Sequence, residues 1–336
     1  MKVSLKIAPE HCELCGLPLD ETAEEVHEGP PILIRCGECG LVRLKVFPDE
    51  NALRDVYQKD YYDAEKGERF AVPLEWLVRA FRWQRMRSIL RREPGPTSLL
   101  DIGCGRGTLV AMLAQRGWRA VGTQVSETAA RAARQRLGAE VLLGDLPDLE
   151  IPDDSFRVVV FFHVLEHLDH PARFLRKSWE ILEDGGLLIV EVPNYRSPGI
   201  LVLGLRNLTV DYPHHLFFFS PESLRAMLRG AGFEVESESH FSLEYSPFTT
   251  LQNFLNLLPG RPNRLYASCQ KNREGRRLRR QPLTWAHGLL AILLAPLAFL
   301  ASLLGLILPI GNTLRIYSRK LPIPEQLPVD TPSQNP

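Results

Sequence analysis

The chain has 336 residues, a length that suits about two domains. Its 40 Lys and Arg balance 40 Asp and Glu, so it lacks the overall basic surface with which nucleic-acid-binding proteins release counterions. Apolar residues at 45% and charged residues at 24% exclude a chain that is disordered throughout.

The first residues, MKVSLKIAPEHCELC, hold no apolar core of a secretory signal, so a cytoplasmic start is expected. Residues 1–48 carry four of the six cysteines as two CxxC pairs, Cys12 with Cys15 and Cys36 with Cys39, each followed directly by a glycine. Two such knuckles, with 20 residues between Cys15 and Cys36, can place four thiolates tetrahedrally around one Zn2+. Four sulfurs leave no open coordination position, so the expected site is structural. A segment this short buries little core and would take most of its folding energy from the metal. Cys104 and Cys269 stand alone and read as ordinary thiols.

Residues 49–93 read as a helical cap or linker, aromatic and Arg-rich, with a helical pattern through EWLVRAFRWQRMRSILRR. From 94 to 246 short apolar runs alternate with helical ones: SLLDIGC, RAVGTQV, EVLLGD, FRVVVFFHV, LLIVEVP and FEVESESH as strands, with Ser126 placed to cap the second helix. That alternation predicts an α/β fold with a doubly wound, mostly parallel, Rossmann-like sheet. The unbroken apolar run FRVVVFFHV reads as a central strand covered on both faces. Residues 247–311 depart from the pattern as a helical, hydrophobic insertion. There the basic run KNREGRRLRR leads into 22 uncharged residues, 289–310, against the ~20 that cross a bilayer. Residues 312–321 hold a last strand, TLRIYSRK, and 322–336 a polar, Pro-rich tail expected to be disordered.

The chemistry begins at DIGCGRG (101–107), where Asp101, Gly103, Gly105 and Gly107 sit between a strand and a helix. Glycines there let the backbone turn sharply and approach a ligand at the helix N-terminus. The D-x-G-x-G-x-G spacing differs from the dinucleotide-binding G-x-G-x-x-G, which makes a nicotinamide oxidoreductase a distant reading. Taken in order, LLDIGCGRG, VGTQVS, LGDLPDLEIPDDSFRVVVFFHVLEHLDHP and GGLLIVEVPN resemble the class I S-adenosylmethionine-dependent methyltransferases, the broad family that includes the ubiquinone-biosynthesis methyltransferases. The resemblance runs from about Tyr61 to His240, and it implies that TLRIYSRK closes the sheet as an antiparallel strand.

The resemblance also implies the cofactor, S-adenosyl-L-methionine, and residues that would hold it. Asp101 and the Gly103–Gly105 backbone would face the methionine part, Asp145 and the Leu146 amide the adenine, and His163 the sulfonium and the substrate. Tyr62 would close over the cofactor. Gln124 stands where the family has an acid that bonds the ribose hydroxyls; an amide lacks those paired, charge-assisted bonds, which predicts weaker binding.

A hydroxyl acceptor needs a base with a pKa near neutrality. The histidines available are His163, His167, His214 and His215, with Glu166 beside them, and His163 and His215 are the catalytic expectation. The expected function is methyl transfer to a small-molecule, sugar or lipid-linked acceptor, at the inner face of the cytoplasmic membrane. The membrane contact falls on residues 283–310: if the two strands flanking the insertion pair, the chain returns on the side it left, so a re-entrant hairpin bending near Pro296 or an interfacial helix is expected. The rival readings are an RNA methyltransferase gripping RNA with its zinc ribbon, against which the zero net charge counts, and a non-catalytic binding protein that kept the fold. The acceptor atom and the oligomeric state are not legible in the sequence.

Overall fold

The computed structural model describes residues 5–19, 23–26, 31–48, 72–270 and 273–322. Tyr62, most of the cap and nearly all of the tail lie outside the described residues.

The N-terminal segment folds as short strands: β1 (Leu5–Ile7), β2 (Ala23–Glu25), β3 (Leu33–Cys36), β4 (Val42–Leu44) and β5 (Val46–Pro48). Helix α1 (Val72–Leu90) leads into an alternation of β6 (Ser98–Ile102), α2 (Thr108–Ala114), β7 (Arg119–Gln124), α3 (Glu127–Leu137), β8 (Glu140–Leu143), β9 (Phe156–Phe162), α4 (Pro171–Ile181) and β10 (Leu182–Pro193). After α5 (Pro198–Leu203) and the two-residue β11 (Phe217–Phe218) come α6 (Pro221–Gly230) and β12 (Phe233–Ser239). The helices α7 (Ser246–Asn256), α8 (Arg264–Cys269), α9 (Arg273–Arg279) and α10 (Pro282–Leu303) form the insertion, and β13 (Thr313–Lys320) closes the chain's sheet.

The seven strands lie in the order β12-β13-β10-β9-β6-β7-β8. Strands β6 to β10 run parallel, while β13 is antiparallel to both of its neighbours, the Rossmann-like sheet with an antiparallel last strand that the sequence predicts. In β9 every residue but Arg157 is buried, which fits a central strand covered on both faces. Ser126 caps α3 by accepting a hydrogen bond from the Ala129 amide, and Ser220 opens α6 with a reciprocal capping box.

The cysteine-bearing segment forms a sheet of its own that shares a core with the larger domain. Strands β2, β3 and β4 continue into β11, and the Leu44 amide donates to the Leu216 carbonyl at 2.9 Å. Leu33, Phe47, Phe217 and Phe219 are fully buried in a core continuous with Leu100 and Val159 beneath the parallel sheet, and the Phe47 and Phe217 rings meet edge to face at 5.7 Å.

The insertion corrects the hairpin expectation: Pro296 lies inside one continuous 22-residue helix, α10. That helix packs along α7 and turns its small and polar residues inward, burying Thr284, His287, Ala291, Ala298 and Ser302. Its large apolar side chains face out, with Trp285, Leu289, Ile292 and Leu293 all at least 66% exposed. A helix of a soluble domain does the reverse. Strands β12 and β13 pair directly, Phe233 opposite Lys320, so both flanks of the insertion lie in one sheet.

Candidate functional site at the carboxyl edge of the sheet

Open α/β sheets bind ligands beyond the carboxyl ends of their strands. At that edge the structure assembles Asp101 and the glycine loop after β6, Gln124 at the end of β7, Asp145 and Leu146 after β8, and His163 after β9. Gly103, Gly105 and Gly107 all adopt left-handed φ, at 63°, 58° and 70°. A Cβ on Gly103 would stand 2.8 Å from Val164 Cγ2, so any larger residue is doubly excluded. The Gly103 amide donates to Thr123 Oγ1 at 3.2 Å, which pins the loop to β7. Asp101 is 5% exposed, and burial pushes its carboxyl up to about 7 even though Arg82 and Arg85 pull it down. A buried acid under a glycine cradle suits a cationic ligand group. Gln124 is buried, and its Oε1 accepts from the Ser126 amide at 3.2 Å, so its carbonyl serves the start of α3. Asp145 is exposed on the turn whose Leu146 is fully buried. Cys104 packs beneath Gly122 and burial raises its thiol, in keeping with an ordinary buried cysteine.

His163 takes a left-handed φ of 57°, a rare conformation for a residue with a side chain, and one that marks functional sites. Its ring is clamped between two carboxylates: Nδ1 lies 3.1 Å from Glu166 Oε1 and Nε2 lies 3.3 Å from Glu191 Oε1. Burial opposes its protonation, yet the two glutamates outweigh it and raise the pKa to about 9. The two carboxylates thus favour the protonated imidazolium, a form that holds charge and orientation more readily than it accepts a proton.

Glu191 is the hub that sequence reasoning missed. It is fully buried and receives Arg85 Nη2 at 3.0 Å and Arg315 Nε at 2.6 Å, and its pKa stays well below the usual range because these cations overcome its desolvation. Arg85 also reaches Glu244 at 3.0 Å, and the Tyr245 ring lies tilted against His163 with centroids 3.9 Å apart. The available signal was a charged residue inside the apolar run LLIVEVP, facing Arg315 of TLRIYSRK in cross-strand register.

The second expected catalytic histidine, His215, is buried on the connection that enters β11. Its ring stands 4.7 Å from that of His167, and Glu166 lies between the two expected catalytic histidines, meeting His163 at 3.1 Å and offering a carboxylate oxygen within 4.8 Å of the His167 and His215 ring nitrogens. His167 is lowered to about 4 by burial and by neighbouring His215. Asp211 is lowered to about 2, chiefly by its bond with His214 outweighing burial.

At the N-terminus the four cysteine sulfurs lie within 4.8 Å of one another. Cys12 Sγ stands 3.4 Å from Cys39 Sγ, and Cys15 Sγ 3.6 Å from Cys36 Sγ. The knuckles share a backbone pattern: the Gly16 and Gly40 amides donate to the Cys12 and Cys36 carbonyls, and both glycines have left-handed φ. A tetrahedron of roughly 2.3 Å metal–sulfur bonds has edges of about 3.8 Å, a size close to the sulfur separations seen here.

The parallel sheet, the glycine loop and the acid beneath it define a methyltransferase domain, and residues 70–238 match the methyltransferase-domain family; the chain belongs to it. Among its relatives is a Mycobacterium tuberculosis protein named as a probable S-adenosylmethionine-dependent methyltransferase, 32% identical over 158 residues, 45% of this chain and 55% of that protein. The ubiquinone biosynthesis O-methyltransferase of Caulobacter vibrioides is 31% identical over 173 residues, 45% of this chain and 64% of the enzyme. The chain thus matches less than two thirds of the length of these curated relatives. A solved S-adenosylmethionine-dependent methyltransferase from Archaeoglobus fulgidus aligns with 21% identity and a TM-score of 0.47, covering 81% of this chain and all of that one.

Proposed function

We propose that the chain transfers a methyl group from S-adenosylmethionine to a small-molecule or lipid-linked acceptor at the cytoplasmic face of a membrane. The observation that carries this reading is the Asp101–Gly107 loop, buried acid below and left-handed glycines above, at the carboxyl edge of a family-matched sheet. The bound cofactor supplies an activated methyl group. The chain's residues hold and align: Asp101 meets the methionine end, the Gly103–Gly105 backbone admits it closely, Gln124 and Asp145 serve the ribose and adenine, and the His163 imidazolium with Glu191 fixes the charge around the reacting centre. His215, left with one ring nitrogen, faces the acceptor. The four cysteines hold a structural Zn2+.

The membrane part of the proposal rests on α10, whose exposed face is apolar, and on the arginines of α9 just before it. A basic segment beside an apolar face suits an anionic lipid surface. Because β12 and β13 pair directly, the helix would lie in the interface and not cross it.

The test offers purified protein and methyl-labelled S-adenosylmethionine separate lipid, metabolite and RNA fractions. Label in lipid or metabolite is the expected result. Label in RNA alone would transfer the reading to RNA modification, and cofactor binding without any labelled product would identify a binding protein.

A further inference from the structure

Glu166, His167 and His215 each offer one ligand atom, and these atoms lie within 4.8 Å of one another. The two rings are oriented from behind. His167 Nδ1 donates to the His214 carbonyl at 2.9 Å, and His215 Nδ1 to the Thr209 carbonyl at 2.9 Å. A carbonyl only accepts, so each Nδ1 carries the proton and Nε2 becomes the lone-pair nitrogen of the neutral ring. Metal-binding histidines are held in this way, by a backbone carbonyl on the nitrogen that does not ligate. Glu166 is 1% exposed; its Oε1 meets His163, and its buried Oε2 has no hydrogen-bond partner among the described residues. The Leu216 amide donates to the Glu166 carbonyl at 2.8 Å, tying the segment that carries Glu166 and His167 to the one that carries His215. Beside His215 a cavity of about 10 Å³, bordered by Pro193, Tyr195 and Thr209, has room for about one water.

We propose that Glu166, His167 and His215 form a second metal site, separate from the four cysteines, that takes a divalent first-row cation such as Mn2+, Fe2+ or Zn2+. Two imidazoles and a carboxylate suit those ions, and three protein ligands leave positions open for water or an acceptor oxygen. His215 would then meet the acceptor through the cation. Only this role toward the acceptor rests on the proposed methyl transfer; the binding of the cation does not.

The full chain, with its four-cysteine metal in place, is titrated with Mn2+ alone, and bound ion is read from the loss of the free-ion paramagnetic resonance signal. Mn2+ favours oxygen and nitrogen over thiolate, so the cysteine site stays silent. The expected result is one Mn2+ per chain, with spin-echo modulation from imidazole nitrogen in the unaltered protein. Glu166→Gln and His215→Gln should each weaken binding at least about tenfold, while His170→Gln, exposed and outside the cluster, leaves it unchanged. Binding only at millimolar Mn2+, binding without nitrogen modulation, or binding undiminished in both cluster variants overturns the site. A chain that binds Mn2+ without transferring methyl keeps the site and loses the functional reading. One that transfers methyl without binding any cation loses only the site.

Discussion

On the proposed reading, Asp101 is the residue whose ionisation bears most directly on cofactor binding. It faces Arg82 and Arg85 from α1 and Cys104 from its own loop, and burial still holds its pKa near 7. The methionine end that it would meet carries positive charge, which favours the carboxylate. Below pH about 7 binding must therefore expel a proton, and the affinity rises with pH until Asp101 is ionised in the free protein. The dissociation constant of S-adenosylmethionine should fall by up to about tenfold per pH unit on the acid side and level off above pH 7. Calorimetry across buffers of different ionisation enthalpy counts the expelled proton. Asp101→Asn should weaken binding and flatten the profile; a flat profile in the unaltered protein would remove Asp101 from the site. Asp101 and the glycines were legible because their signal is local, a strand end followed by a turn. Glu191 and Arg315 lie 124 residues apart, and only the antiparallel insertion of β13 beside β10 brings them together. Nothing in either stretch alone names its partner. The left-handed φ of His163 was equally hidden, since nothing in the run FFHVLEH marks that position for it.

Among the elements, α10 is the one that packs against the usual rule. Sequence pattern revealed its length and apolarity and left two forms open, a hairpin bending near Pro296 or an interfacial helix; proline removes a helical hydrogen bond and crowds the preceding turn. The helix nevertheless runs through, with Ala291, Ala298 and Ser302 seated inward. Its exposed leucines therefore contribute little to the fold and much to any apolar surface that covers them. Changing Leu289, Ile292 and Leu293 together to Ser should leave the circular dichroism and melting temperature of the chain in solution nearly unchanged. Full burial of each large apolar side chain is worth about 1.5–3 kcal/mol. Loss of even about 3 kcal/mol across the three weakens association with anionic phosphatidylglycerol vesicles roughly 100-fold. Co-sedimentation reads this directly. Unchanged sedimentation of the triple variant would show that α10 does not face the lipid, whereas a collapse in melting temperature would show that the face is core.

Over the whole molecule, the cysteine-bearing segment and the connection that carries His215 share one small sheet and one core. Strand β4 pairs with β11, and His215 lies two residues before β11 on the same connection. The glycine loop sits on β6, whose neighbours are β9 and β7, and its anchor is Thr123. If the four cysteines hold the proposed metal, its loss should therefore disturb the two sides unequally. A segment of this size depends on its ion for folding, and unfolding it would free β11 and let His215 drift. A displacement of about 1 Å at a reacting group can cost about 100-fold in rate. Cys36→Ser should thus lower kcat/KM for the acceptor by up to about that factor while the dissociation constant of S-adenosylmethionine changes little. Turnover and calorimetry on the same preparation separate the outcomes. If both parameters fall together, the metal stabilises the entire chain; if neither moves, the ribbon is independent of the acceptor side. A selective loss of turnover would mean that the cysteine-bearing segment sets the geometry around His215 through one short strand.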